Sequence, residues 1–72
     1  MIAAIVATKI AVFFKGDIIV SLPKARFRAV YYKPAGQPQL ILRQRTKTDD
    51  YEAWAEAWIA ANDKARELGL IV

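Results

Sequence analysis

Cysteine and histidine are both absent from the 72 residues, serine occurs once, at Ser21, and the three glycines are scattered. Without cysteine there are no disulfides, thiolate nucleophiles or thiolate metal sites, and without histidine there is no imidazole base and no ordinary zinc ligand set. Ser21 has no histidine to activate it, so a conventional catalytic triad cannot be built. Gly16, Gly36 and Gly69 stand too far apart for a phosphate-cradling loop or a dinucleotide fingerprint. Carboxylates are few and unevenly placed. The stretch from Lys24 to Lys47 holds seven basic residues and no acid, whereas six of the seven carboxylates follow Thr48, so the charge runs +1 over residues 1–23, +7 over 24–47 and −4 over 48–72, for a net +4. Acid–base chemistry would have to come from carboxylate, lysine or tyrosine. Glu52, Glu56, Asp63 and Glu67, however, have the spacing of a solvated helix face, and Asp49 and Asp50 that of capping groups. The expectation is a protein that is not an enzyme and uses no cofactor, metal or small-molecule substrate.

What is present is apolar and small. Hydrophobic residues make up 56% of the chain and eight residues are aromatic, a globular composition. A chain of this length is expected to form a single domain, residues 1–72, whose one core gives only about 3–5 kcal/mol; with no disulfide available, oligomerisation is the remaining reinforcement. The most apolar stretch, MIAAIVATKIAVFF, is too short for a membrane span of about 20 residues. It is broken by Lys9 and lacks the charge order of a signal peptide. No membrane partner is expected, and the cytoplasm is the default location.

Residues 5–14 are rich in Ile, Val and Phe and read as a strand, although Ile2, Ile5, Val6, Ile10 and Phe13 would also line one side of a helix. Lys15-Gly16-Asp17 is a tight turn, and Ile18 to Leu22 a second strand stopped by Pro23. A third strand runs from Arg26 to Lys33. Pro34-Ala35-Gly36-Gln37-Pro38 forms a turn, and Gln39 to Thr46 a fourth strand, so that the last two make a hairpin. Beyond Thr46 the period changes to 3.6. Tyr51, Trp54, Ala55, Trp58, Asn62, Ala65 and Leu68 share one side of the wheel, opposite Glu52, Glu56, Asp63 and Glu67. Thr48 or Asp49 is the expected cap, with Asp49 and Glu52 in capping-box spacing, and Gly69 the stop. Leu70-Ile71-Val72 is an apolar tail expected to dock on the core. The fold class that follows is α+β: a small antiparallel sheet of three to four strands, then one amphipathic helix packed on one face.

A four-residue loop over Pro34 to Gln37 would pair Tyr32 with Gln39, Val30 with Ile41, Arg28 with Arg43 and Arg26 with Arg45 on one face. Tyr31 with Leu40, Ala29 with Leu42, and Phe27 near Gln44 would line the other, beneath Trp54 and Trp58. Four arginines in two like-charged pairs, with Tyr32 and Gln39, would favour a bound anion. A guanidinium fork matches phosphate or a guanine edge, and a two-stranded ribbon fits a major groove. The candidate nucleic-acid-binding residues are therefore Arg26, Arg28, Tyr32, Gln39, Arg43 and Arg45. Ile19, Val30 and Ile41 fall on the same face and also suit a protein interface, where the arginines would meet the acidic helix of a neighbouring copy.

Arg26-Phe27-Arg28-Ala29-Val30-Tyr31-Tyr32, the Pro34-Ala35-Gly36 turn and Thr48 through Glu52-Ala53-Trp54, in the order strand, strand, strand, helix, resemble the arm-type N-terminal DNA-binding domain of phage-like tyrosine recombinases over about residues 17–67. The resemblance implies that the sheet enters the major groove, with Arg28, Tyr32, Arg43 and Arg45 in it. The chain departs from that pattern in the apolar Ile18–Leu22 strand and in the added residues 1–14. The reading that follows is a small module binding nucleic acid, duplex DNA before RNA. Its alternative is a homo-oligomeric interaction module with the basic face at a protein interface.

Overall fold

A computed structural model describes residues 9–71, so the part of the first strand expected before Lys9, and Val72 of the tail, lie outside the described residues. Four strands, β1 (Ile10–Phe14), β2 (Asp17–Leu22), β3 (Phe27–Tyr32) and β4 (Ile41–Arg45), form one antiparallel sheet in the order β1-β2-β3-β4, followed by helix α1 (Tyr51–Glu67) packed on one face. The expected α+β architecture is the one found.

Local chemistry sets the connections. Lys15 and Gly16 both take positive φ, +50° and +85°, which closes β1 and β2 through two residues in the primed-turn geometry that matches strand twist. Pro23 opens a single 3₁₀ turn, Pro23–Ala25, which ends at Arg26 in the left-handed region with φ +51°. Arg26 was expected at the start of the third strand, but its left-handed backbone excludes it and β3 begins at Phe27. The Gln37 amide donates to the Pro34 carbonyl at 3.2 Å across Gly36, whose φ of +80° a side chain would resist.

The helix start is one residue later than expected. Asp50 is the cap, its carboxylate accepting from the Glu52 and Ala53 amides at 3.0 and 3.1 Å, while the Thr48 hydroxyl accepts from the Asp50 amide. Gly69 ends the helix as expected. With its φ at +76°, the Gly69 amide reaches the Arg66 carbonyl and the Leu70 amide the Ala65 carbonyl, a complete Schellman arrangement that turns Leu70 and Ile71 onto the core.

Ile18, Val20 and Leu22 of β2, with Phe27, Ala29 and Tyr31 of β3 and Leu40, form the sheet half of the core. The helix half corrects the wheel. Ala53, Ala57, Ala60, Ala61 and Ala65 are buried, Trp54 is half-buried and Trp58 remains 43% exposed. The sheet already supplies the bulky side chains, so the helix approaches closely on small ones. The tryptophans are displaced to the β3–β4 side, where Trp54 meets Phe27 at 6.4 Å and Trp58 meets Tyr31 at 5.7 Å between ring centroids. The helix lies mainly over β2, with β1 and β3 beside it. The opposite face of the sheet is left uncovered among the described residues.

Candidate nucleic-acid interface

The register of the β3–β4 hairpin decides what the uncovered face carries, and it differs from the expected one in two steps. Pairing starts at Tyr32 with Ile41 and Tyr31 with Leu42, two residues later than a four-residue loop would allow. Pro38 has no amide to give to a ladder, and Leu40 is turned into the core with 4% exposure, so Lys33 through Leu40 form the connection. A bulge at Arg43 then shifts the ladder again, to Val30 with Gln44 and Ala29 with Arg45. Beyond the strand end, Thr46 takes the place opposite Arg28. Its amide donates to the Arg28 carbonyl at 2.8 Å and its hydroxyl accepts from the Arg28 amide at 3.2 Å.

A one-residue shift moves every later side chain to the other face. Gln44, expected beneath the helix, is on the uncovered face, and Arg45, expected on the uncovered face, is on the helix side with its guanidinium carbon 4.2 Å from the Trp54 ring centroid. The expected pairs Arg28 with Arg43 and Arg26 with Arg45 do not form. Two like-charged cross-strand pairs would each cost a few tenths to about 1 kcal/mol; the two-residue offset removes both, and the bulge keeps Arg28 from facing Arg45 in their place.

Of the six candidate residues, Arg28, Tyr32 and Arg43 are brought together on the uncovered face. Arg43 is held there from two sides. Its guanidinium carbon lies 4.1 Å from the Tyr32 ring centroid, and its Nε donates to Asp17 Oδ1 at 3.2 Å. Asp17 is placed by the β2–β3 ladder, where it pairs with Tyr32. Arg28 makes no side-chain hydrogen bond or ion pair among the described residues. With Val30, Gln44, Arg45 and Thr46 it lines a shallow depression at the end of the hairpin. The other candidates lie elsewhere: Arg26 in the turn before β3, and Gln39 beside Trp58, Asn62 and Ile71 in a groove on the helix side.

Sequence reasoning missed Gln44, Thr46 and Asp17. The four-residue Pro23–Arg26 connection, which pairs Leu22 with Phe27, is the signal that could have placed Asp17 beside Tyr32; nothing local announces the bulge that exposes Gln44. Apart from Ser21, which pairs with Ile10 and Arg28, the remaining surface of the face is apolar. Ile10, Val12 and Phe14 of β1 share it with Ile19, Val30 and Ile41. Asp17 is the only carboxylate in the four strands, and the other six acids fall in the loop before α1 and in α1 itself. Charge sorted along the chain is thus sorted between layers, cations on the sheet and carboxylates on the helix side.

No described helix is long and apolar enough to cross a membrane. The chain matches no protein-family model, no curated protein and no solved structure.

Proposed function

We propose that this protein is a cytoplasmic, non-catalytic module that binds duplex DNA through the β3–β4 half of its uncovered sheet face, with Arg28, Arg43, Tyr32, Gln44 and Thr46 as the contact residues. The observation that carries the reading is the Arg28 guanidinium. It stands without a partner among the described residues, beside an amide and a hydroxyl, on a face whose one strand carboxylate is already engaged by Arg43. A phosphate oxygen accepts from guanidinium, amide and hydroxyl alike, and Arg and Gln also have hydrogen-bonding matches on base edges in the major groove. Tyr32 keeps the Arg43 fork in place by stacking under it, so less side-chain freedom is lost on binding.

Fluorescence anisotropy with a labelled duplex across a salt series tests the reading. Affinity should fall with salt, and the Arg28→Ala, Arg43→Ala double variant should have a slope of log K against log salt shallower by about 0.9 for each phosphate it no longer neutralises. Absence of binding at low salt ends the proposal. The alternative, a protein interface on the same face, is favoured by one specific feature: six apolar side chains share the surface with the arginines, and Asp17 has already neutralised one of them. It is the reading left if the duplex is ignored and the double variant weakens self-association instead.

A further inference from the structure

The two edges of the sheet are built differently. β4 carries Arg43, Arg45 and a bulge, all devices that keep an edge strand from pairing with another chain. β1, Ile-Ala-Val-Phe-Phe, has none of them. It has no charge, no proline and no bulge against β2, and Ile10, Val12, Phe13 and Phe14 are between 41% and 55% exposed. The apolar exposure is on both faces of the strand: Ile10, Val12 and Phe14 on the uncovered side, Phe13 on the helix side. Among the described residues its outer amides have no partner strand, and a row of such amides flanked by apolar side chains above and below suits another strand of the same character.

From this we infer that β1 is a homodimer edge, pairing antiparallel with β1 of a second copy across a two-fold axis at Val12. A second copy is the occupant that charge selects. Pairing about Val12 sets Val12 against its own copy, Ile10 against Phe14 and Ala11 against Phe13, with no charged side chain in the ladder, whereas the β4 edge would bring arginines against arginines. The like charges that approach are Lys9 and Lys15, at the ends and beyond the strand. The axis stands perpendicular to the sheet, so the two helices lie on one side of the joined sheet and the two cationic hairpins on the other. This is a different surface from the one proposed for DNA, and either can fail without the other.

Sedimentation equilibrium of the whole chain across concentration and salt is the experiment. The expected result is a monomer–dimer equilibrium that persists or tightens as salt rises, because only the Lys9–Lys15 repulsion is screened, the opposite of the salt response of DNA binding. Val12→Lys places two ammonium groups at the axis and should raise the dimer Kd roughly tenfold or more. Since Val12 faces away from the helix, the far-UV circular dichroism and urea midpoint of the monomer should be kept. Hydrogen exchange read by NMR supplies the second measurement, with the β1 amides that point away from β2 protected in the dimer and losing that protection on dilution. A wild-type chain that stays monomeric at high concentration overturns the inference, as does a dimer that Val12→Lys leaves intact. Outward-pointing β1 amides equally protected in a monomer would assign the edge to another part of the same chain, and so would overturn it too.

Discussion

The Arg45 guanidinium sits over the indole of Trp54, 4.2 Å from Cζ to the ring centroid, on the side of the sheet away from Arg28. Two arginines of the same basic hairpin therefore have different work, separated by the single extra residue at Arg43. A cation on an aromatic face contributes about 0.5–1 kcal/mol at an exposed site and more when desolvated. Arg45→Ala should lower the urea midpoint by a corresponding amount and leave the salt slope of duplex binding close to that of the wild type. Arg28→Ala should do the reverse, with stability held within about 0.5 kcal/mol and a shallower slope. Equal slopes for the two variants would return Arg45 to the contact surface.

The alanine stripe of α1 yields the second prediction. Ala57 is fully buried where the helix meets the sheet, so Ala57→Leu forces extra methylenes into a tightly packed layer and should cost about 1–3 kcal/mol. Trp58→Ala, by contrast, should fall short of the roughly 3–5 kcal/mol of a buried tryptophan, because Trp58 gives only one side to Tyr31. Trp54→Ala should lie between, since it removes the packing on Phe27 and Arg45 together. Denaturant midpoints of the three variants check the order. A Trp58→Ala cost above that of Ala57→Leu would mean that the tryptophans, and not the alanines, anchor the helix.

That order also marks where the sequence was readable. Lys15-Gly16, Pro23, the Pro34–Gly36 turn and Gly69 are decided by one residue's φ or missing amide, and each turn falls where it was expected, although the connection begun at Pro34 runs on to Leu40. The face of β3 was readable for a similar reason, since Phe27, Ala29 and Tyr31 alternate with Arg28, Val30 and Tyr32. The wheel of α1 misled because it ranks side chains by hydrophobicity, whereas a helix lying close on a sheet of Ile, Leu and Phe is selected by size. The β4 register was unreadable because it depends on Leu40 finding the core and on a bulge whose gain is spread over Asp17, Tyr32, Arg43 and Trp54. These four residues lie far apart in the chain, and only the folded sheet brings them together.

Burial raises the pKa of the Tyr31 hydroxyl above the ordinary tyrosine value of 10.0. The folded pKa exceeds the unfolded one, so the neutral phenol's contribution is fully present below pH 10 and is lost as pH rises through the folded value. Thermal stability should therefore decline above pH 10 in the wild type, over and above the general effect of lysine deprotonation. Tyr31→Phe should flatten that part of the profile while changing stability little at neutral pH. Identical alkaline profiles would show that Tyr31 ionises as freely in the folded state as in the unfolded.

Asp17→Asn isolates the ion pair with Arg43. At 3.2 Å, with both side chains partly solvent-exposed, the pair is worth about 0–1 kcal/mol, so the substitution should scarcely move the urea midpoint. Tyr32 should still hold the guanidinium in place from beneath. What changes is the field on the uncovered face, which loses its one strand carboxylate and gains a free cation next to Arg28. If that face contacts the DNA backbone, affinity for a duplex at low salt should rise. The slope of log K against log salt should also steepen by up to about 0.9, the increment for one more phosphate neutralised. Restoring a carboxylate with Asp17→Glu should bring both back toward wild type. Duplex binding indifferent to Asp17→Asn, measured beside a weakened Arg28→Ala, would confine the contact surface to the Arg28 end of the hairpin and leave Arg43 a structural residue tied to Asp17 and Tyr32.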